Sequence, residues 1–321
     1  MKRILLTGAN GFIGRNLIDM LLINGYEVIG IDFFADRLEK YKKHLNFTFI
    51  KADISEINYL PQKARDSDCI IHTAGLVHGK STDLSKRNYF KINHDGTKNI
   101  VSLMNKKTFK TIIFLSTVSV YGDISCGIIP DETTPPSPKD FYGESKLAAE
   151  SFLVSESKTL GFNYIIFRLT PVYDRDFLLN LKKRILLPFN LALYRISSGN
   201  QLLSICSVKN IVDIVLASLK NEKLLNETFI IKDEKDYSFN EMIDIFKSEL
   251  GMKFRLIITI PSFIPKVMFK ILSFFHPKKA FSLLYAFNKV DKNFIYSNKK
   301  ISHYGINPKW NLRETLKKPI L

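Results

Sequence analysis

The chain has 321 residues, 45% hydrophobic and 24% charged, a composition that excludes a disordered or fibrous protein and fits a globular one with a real core. Three cysteines, Cys69, Cys126 and Cys206, lie far apart with no C-x-x-C pair. This excludes a disulfide framework and a zinc site, and predicts a reducing compartment. The net charge is +16, from 47 Lys and Arg against 31 Asp and Glu.

Met-Lys-Arg opens the chain and leads at once into a short apolar run, Arg3 to Thr7. No secretory signal pattern precedes it, so a cytoplasmic location is expected. Gly8-Ala-Asn10-Gly11-Phe12-Ile13-Gly14 follows the run and opens an amphipathic helix reaching about Asn24. Such a turn brings backbone close to a pyrophosphate, and the helix N-terminus supplies N–H groups and positive dipole. Three glycines alone would signal no more than a tight turn. Their place directly after a first strand, with Asp32 closing the second strand, makes a dinucleotide site the stronger reading. The Asp32 carboxylate suits ribose hydroxyls and repels a 2′-phosphate, so NAD is expected over NADP.

Further strands are predicted at 27–32, 47–54, 69–74, 111–117 and 163–170, with helices at 93–105 and 142–160. Near-continuous apolar strands alternating with helices imply a parallel sheet covered on both faces. The expected fold is α/β: a Rossmann, doubly wound domain over residues 1–170 and a smaller α/β substrate-binding part over 171–321. His72 falls on the fourth strand and is read as packed or backbone-bonded. His78, in the loop behind it, is read as a solvated loop residue.

Tyr142-Gly-Glu-Ser-Lys146 sets a phenol and an ammonium one helical turn apart. A nearby Lys⁺ favours phenolate and brings tyrosine into range for proton transfer. This spacing is common on surface helices. Its weight comes from following the fifth strand of a nucleotide-binding sheet, just after Leu115-Ser-Thr117-Val-Ser-Val-Tyr-Gly122.

Together with Asp53-Ile54, His72-Thr73-Ala74-Gly75, Asn93, Gly96-Thr97 and Arg168 to Tyr173, these segments resemble the extended short-chain dehydrogenase/reductases, the NAD-dependent epimerase/dehydratase family. The resemblance implies that Asp53 and Ile54 flank the adenine, that Thr73 to Gly75 line the cofactor, and that Asn93 lies near the nicotinamide. It implies that Lys146 binds the nicotinamide ribose as well. It places the catalytic set at Thr117, Tyr142 and Lys146.

In this family 4,6-dehydratases carry an Asp-Glu pair directly after the catalytic Thr. Val118-Ser119 stands here, which disfavours dehydration and leaves 4-epimerisation or 4-keto reduction of a diphosphate-linked sugar in surface polysaccharide synthesis. Thr170 replaces the Asn of the family's Arg-x-x-Asn segment, and the family's diphosphate-gripping Arg falls near Leu203. These departures open the choice between a nucleotide and a polyprenyl carrier. Residues 251–321 hold 14 Lys and Arg against Asp291 and Glu314, a net +12. Pro265 to His276 combines Lys266 and Lys270 with a broad apolar face, which suits peripheral contact with a membrane, or equally a helix packed on its own domain. The layout of this region is similar to epimerases of polyprenyl-diphosphate N-acetylglucosamine. No nucleic-acid motif accompanies the charge, so no nucleic-acid partner is expected. A homodimer is compatible with the sequence. Two other readings stay open: an oxidoreductase of a lipid or steroid-like alcohol, and a non-catalytic NAD-sensing protein.

Overall fold

A computed structural model describes residues 2–77, 85–123, 127–187, 191–252, 256–276, 284, 287 and 291–317. His78 and Cys126 lie outside these. The chain forms two compact units. The first contains residues 1–170, 211–231 and 298–307; the second contains 171–210, 232–297 and 308–321. A single cut at residue 170 does not capture this, because the chain returns twice to the first unit.

The first unit is built on a seven-stranded parallel sheet. Its strands are β1 (Arg3–Thr7), β2 (Glu27–Asp32), β3 (Phe47–Lys51), β4 (Cys69–His72), β5 (Thr111–Thr117), β6 (Asn163–Leu169) and β7 (Glu227–Ile231). They lie in the order β7-β6-β5-β4-β1-β2-β3. The order reverses between β1 and β4. The carboxyl ends of those two strands flank the crevice where sheets of this kind take ligands. Ile4, Leu5, Leu6, Ile70, Ile71, Ile112 and Ile113 are all fully buried, as strands covered on both faces require.

The helices of this unit include α1 (Phe12–Ile23), α2 (Gly96–Ser102) and α3 (Phe141–Leu160). A Cβ on Gly14 would lie 2.1 Å from the Gly8 carbonyl oxygen, so only glycine lets α1 start this close to the turn. The predicted helix at 93–105 is more complex. A short helix, Lys86–Tyr89, runs into a π-helical segment, Phe90–Asp95, before α2 begins. Helix α3 starts on the Asp140 carboxylate, which accepts from the Gly143 amide at 2.7 Å.

The second unit contains the paired strands Leu193–Ile196 and Ile257–Ile260 and the helix α4 (Phe263–Phe275). A polar cluster is buried among its apolar side chains. Asp233 is fully buried, and its carboxylate accepts from Tyr173 (2.6 Å), the Ser207 amide (2.8 Å), Asn210 (2.8 Å) and, more weakly, Tyr237 (3.4 Å). Asn210 also accepts from the amides of Lys309 and Trp310, so this hub ties the end of the chain into the unit.

Helix α4 buries no residue. Phe263, Val267, Met268, Ile271, Phe274 and Phe275 are each more than half exposed, Phe274 at 89%. Lys266 pairs with Asp291 at 2.7 Å, and among the described residues Lys270 is the exposed ammonium of this helix with no ion pair. No helix among the described residues is long and apolar enough to cross a membrane.

Candidate active site

Residues from four parts of the first unit converge at the carboxyl end of β5. Thr117 ends that strand, and the chain then turns through a 3-10 segment, Val118–Tyr121. Helix α3 packs against this turn closely enough that a Cβ on Gly143 would lie 2.6 Å from the Ser119 carbonyl oxygen. The contact needs glycine directly after Tyr142, and it brings phenol and threonine together. The Thr117 side chain acts on the Tyr142 phenol and favours its ionised form. Thr117 also accepts from the Ser119 amide at 3.1 Å, which fixes its rotamer.

Loss of water around the half-buried Tyr142 raises its phenol above the ordinary range, and Thr117 opposes this. Lys146, one turn on, is 3% exposed. Burial pushes its ammonium down to about 7, against the favourable field of Glu150. With no further cation present, the tyrosine remains protonated. A positive charge brought into the site and hydrogen-bond acceptors for Lys146 would reverse both shifts.

The glycine turn carries the remaining cofactor candidates. Helix α1 has no side-chain cap at Gly11 and no acid in its first turn; the Gly11 amide donates to the Gly8 carbonyl at 3.0 Å, and the positive end of the helix points out of the turn. Asp32 accepts from the amides of Asn10 (2.9 Å) and Phe34 (3.1 Å). Burial nonetheless raises its carboxyl, and Asp36 adds to this. The Asn10 side chain binds Asp36 and the Arg37 amide, drawing the loop after β2 back over the turn. Arg37 faces Asp36 at 3.7 Å and is well exposed. Asp53 is spent locally on Ser55, while Ile54 joins the core.

Thr73 donates to the Thr7 carbonyl at 2.7 Å and so fastens the Thr73-Ala74-Gly75 loop to the end of β1. Asn93 lies in the π-helical segment and is fully buried. Its carbonyl accepts from the Leu76 amide at 2.7 Å, and its amide donates to Ser145 at 2.9 Å and to the Leu76 carbonyl at 3.1 Å. The side chain thus latches the loop after β4 to helix α3. π-Segments cluster at functional positions, and this one serves Asn93.

Some contacts had no signal in the sequence. His72 is buried and bonded to two side chains, where backbone contact was one expectation. Thr97 donates its one hydroxyl proton to the Asn93 carbonyl, so it must accept from His72 Nε2–H at 3.1 Å. That leaves Nδ1 bare to accept from Thr7 at 2.8 Å. The imidazole is neutral, held down to about 3 by burial and by the Lys146 charge. Behind the site, Glu150 accepts from Arg168 at 2.7 Å and from Ser116, and Arg168 donates to the Tyr121 hydroxyl at 2.8 Å. Glu150 stands one turn after Lys146. Its spacing was a readable clue; the identity of its partner on β6 was not.

The residues fit a nicotinamide dinucleotide. Lys146 makes no hydrogen bond within the described protein, so ribose hydroxyls would give a buried donor its acceptors. The uncapped α1 N-terminus would face the pyrophosphate, and Asp32 the adenosine ribose.

A doubly wound sheet with a threonine, a tyrosine and a buried lysine at its crevice defines a dinucleotide-dependent enzyme of the short-chain dehydrogenase class. Residues 4–231 match the NAD dependent epimerase/dehydratase family, and the chain belongs to it. Over 256 residues it is 27% identical to UDP-glucose 4-epimerase of Vibrio cholerae, covering 75% of this chain and 74% of that protein. Over 257 residues it is 28% identical to N-acetyl-α-D-glucosaminyl-diphospho-ditrans,octacis-undecaprenol 4-epimerase of Escherichia coli O157:H7, covering 78% and 73%. UDP-glucuronic acid 4-epimerase from Bacillus cereus, solved with NAD, has the same fold, with a TM-score of 0.76 at 22% identity over 98% of this chain and 96% of that one.

Proposed function

We propose that the protein is an NAD-dependent 4-epimerase of a diphosphate-linked sugar, with Tyr142 as base. The observation that carries this is the packing of helix α3, with Tyr142 and buried Lys146 one turn apart on it, against the turn that follows Thr117. Tyr142 takes the proton from the sugar 4-hydroxyl and later returns it. Thr117 binds the same oxygen and steers its proton toward the phenolate. Lys146 holds the ribose and keeps the phenolate accessible near neutral pH. A bound nicotinamide would supply the hydride chemistry at the sugar carbon, while these residues hold the sugar oxygen and move its proton. Val118, 3% exposed, and Ser119 follow Thr117, so this stretch supplies no carboxylic acid to expel water from the neighbouring carbons.

The relatives act on nucleotide-linked and on polyprenyl-linked sugars by name. The exposed apolar face of α4 favours the second class here, with the enzyme held peripherally at a membrane surface.

The purified protein should release NAD on denaturation. It should also interconvert the two 4-epimers of its substrate without added cofactor. Assays on a UDP-hexose and on a polyprenyl-diphosphate N-acetylhexosamine separate the two carriers. Tyr142→Phe should abolish turnover while the protein stays folded, and Thr117→Ala should slow it by about 10²-fold, as loss of one oxyanion donor does. Stoichiometric consumption of NADH or NADPH would make it a reductase. Near-normal turnover by Tyr142→Phe would remove the base assignment.

A further inference from the structure

The Lys146 ammonium stands 3.8 Å from the centroid of the Phe114 ring. Phe114 is fully buried on β5, and the His72 imidazole stacks on it at 5.6 Å and 14°. Moving an ammonium from water into such a core is costly unless something replaces its hydration. Protein acceptors do not: within the described residues Lys146 donates no hydrogen bond. The electron-rich face of an aromatic ring does attract a cation, and more strongly once both are desolvated.

The charged and titratable groups around Lys146 are otherwise engaged. On α3, Glu150 is committed to Arg168 and Ser116, and it attracts the ammonium from one turn away. On β6, Arg168 is neutralised by that pair, and Tyr121 in the turn after β5 is bound to Arg168. On β4, His72 is neutral between Thr7 and Thr97. On α3, Tyr142 is held protonated by burial, with Thr117 opposing.

We infer that Phe114 is a positioning residue for the reaction: its ring face is the seat that keeps the Lys146 ammonium charged inside the core, one turn from Tyr142. This rests on the assignment of Lys146 to the catalytic set. It explains how the lysine is held in place without a carboxylate beside it. A direct ion pair would anchor the ammonium but compete for it with ribose hydroxyls and phenolate. A ring attracts the charge and leaves all three of its protons for those acceptors.

The test replaces Phe114 site-specifically with phenylalanine carrying one, two or three ring fluorines. Fluorine withdraws electron density from the ring face while nearly preserving its shape. In full-length, cofactor-free protein with ¹³Cε-labelled lysine, the Lys146 signal is assigned by its loss in Lys146→Met and followed by NMR against pH. The Lys146 titration should move down in step with fluorine count, by about one pH unit for three fluorines, a tenfold drop in proton affinity. The alkaline limb of turnover should move the same way. A merely structural Phe114 would change melting temperature and leave both titrations in place, and that result would overturn the inference. If the trifluoro protein does not fold, the 4-fluoro protein still gives the slope. A titration that follows fluorine in a protein that epimerises no sugar would uphold the seat and sink the function. Epimerisation with a titration blind to fluorine would do the reverse.

Discussion

With burial holding its ammonium down to about 7, Lys146 binds a proton less readily in the folded, cofactor-free protein than in the unfolded chain. Between about pH 7 and the ordinary lysine range near 10.5 the unfolded chain therefore carries more protons, and stability rises with pH. Below pH 7 the full cost of burying the charge is present. Lys146→Met should therefore raise the melting temperature at pH 6, by about 2–4 °C for each kcal/mol recovered, and by much less at pH 9.5. Calorimetry at both values checks this, and an equal change at the two pH values would refute it. The same substitution removes a group that the chemistry needs, so stability and activity should move in opposite directions. At Asp32 the prediction concerns choice of cofactor. A 2′-phosphate would meet Asp32 and Asp36 together, while Arg37 is turned to Asp36. NAD should bind at least about tenfold more tightly than NADP, and Asp32→Ala should narrow that gap. Fluorescence titration of both cofactors decides; tighter NADP binding by the wild type would contradict the argument.

Elements are positioned here by shared polar hubs as much as by apolar packing. Four donors converge on the Asp233 carboxylate, which burial holds up to about 6. Because this folded value lies above the ordinary carboxyl value of 3.8, the group contributes most at low pH, and its contribution is lost as pH rises to about 6. Asp233→Asn would turn an –NH₂ toward donors, leaving buried groups unpaired at a cost of about 1–3 kcal/mol. Urea unfolding should show a lower midpoint with an unchanged slope; an unaltered midpoint would mean that the hub is dispensable. The first six strands, the glycine turn and helix α3 were legible in the sequence because each is a continuous local pattern. The π-segment at Phe90–Asp95 was not, because it is set by where Asn93 must reach, on α3 and on the loop after β4. Phe114, inside the run Thr111–Thr117, reads as one more core residue, and nothing local says that an ammonium rests on it. β7 joins β6 from about sixty residues away, so the return of the chain to the first unit was equally hidden.

For the molecule as a whole the open question in the sequence was what the apolar face of 265–276 packs against. An apolar helix reads alike whether buried or exposed, and the structure leaves most of α4 exposed, with Phe269 meeting the Phe287 ring. Its exposure, within a 71-residue stretch of net charge +12, is the basis for expecting attachment to anionic lipid, at about 1 kcal/mol for each basic group near the surface. Co-sedimentation with anionic vesicles should be strong at low salt and fall at high salt. Lys270→Glu with Phe274→Ser should release the protein, whereas Lys266, held by Asp291, should matter less. Absence of wild-type binding to anionic vesicles at low salt would return the substrate to a freely diffusing nucleotide sugar, with the site in the first unit unaffected.

The π-segment before α2 also constrains how this chain can change in length. It holds one more residue per turn than the helices on either side, and Asn93 sits within the excess. Losing any one residue between Phe90 and Asp95 would let the whole stretch relax into an ordinary α-helix, a gain in local regularity. It would leave the flanking turns nearly in phase but remove the displaced turn on which Asn93 sits. Tyr89, whose ring now lies 6.2 Å from that of Tyr142, and Asn93, now latched to Ser145, could not both keep their partners. Indels here should therefore be tolerated by the fold and rejected by the reaction, a stretch where gaps in an alignment would mark lost activity.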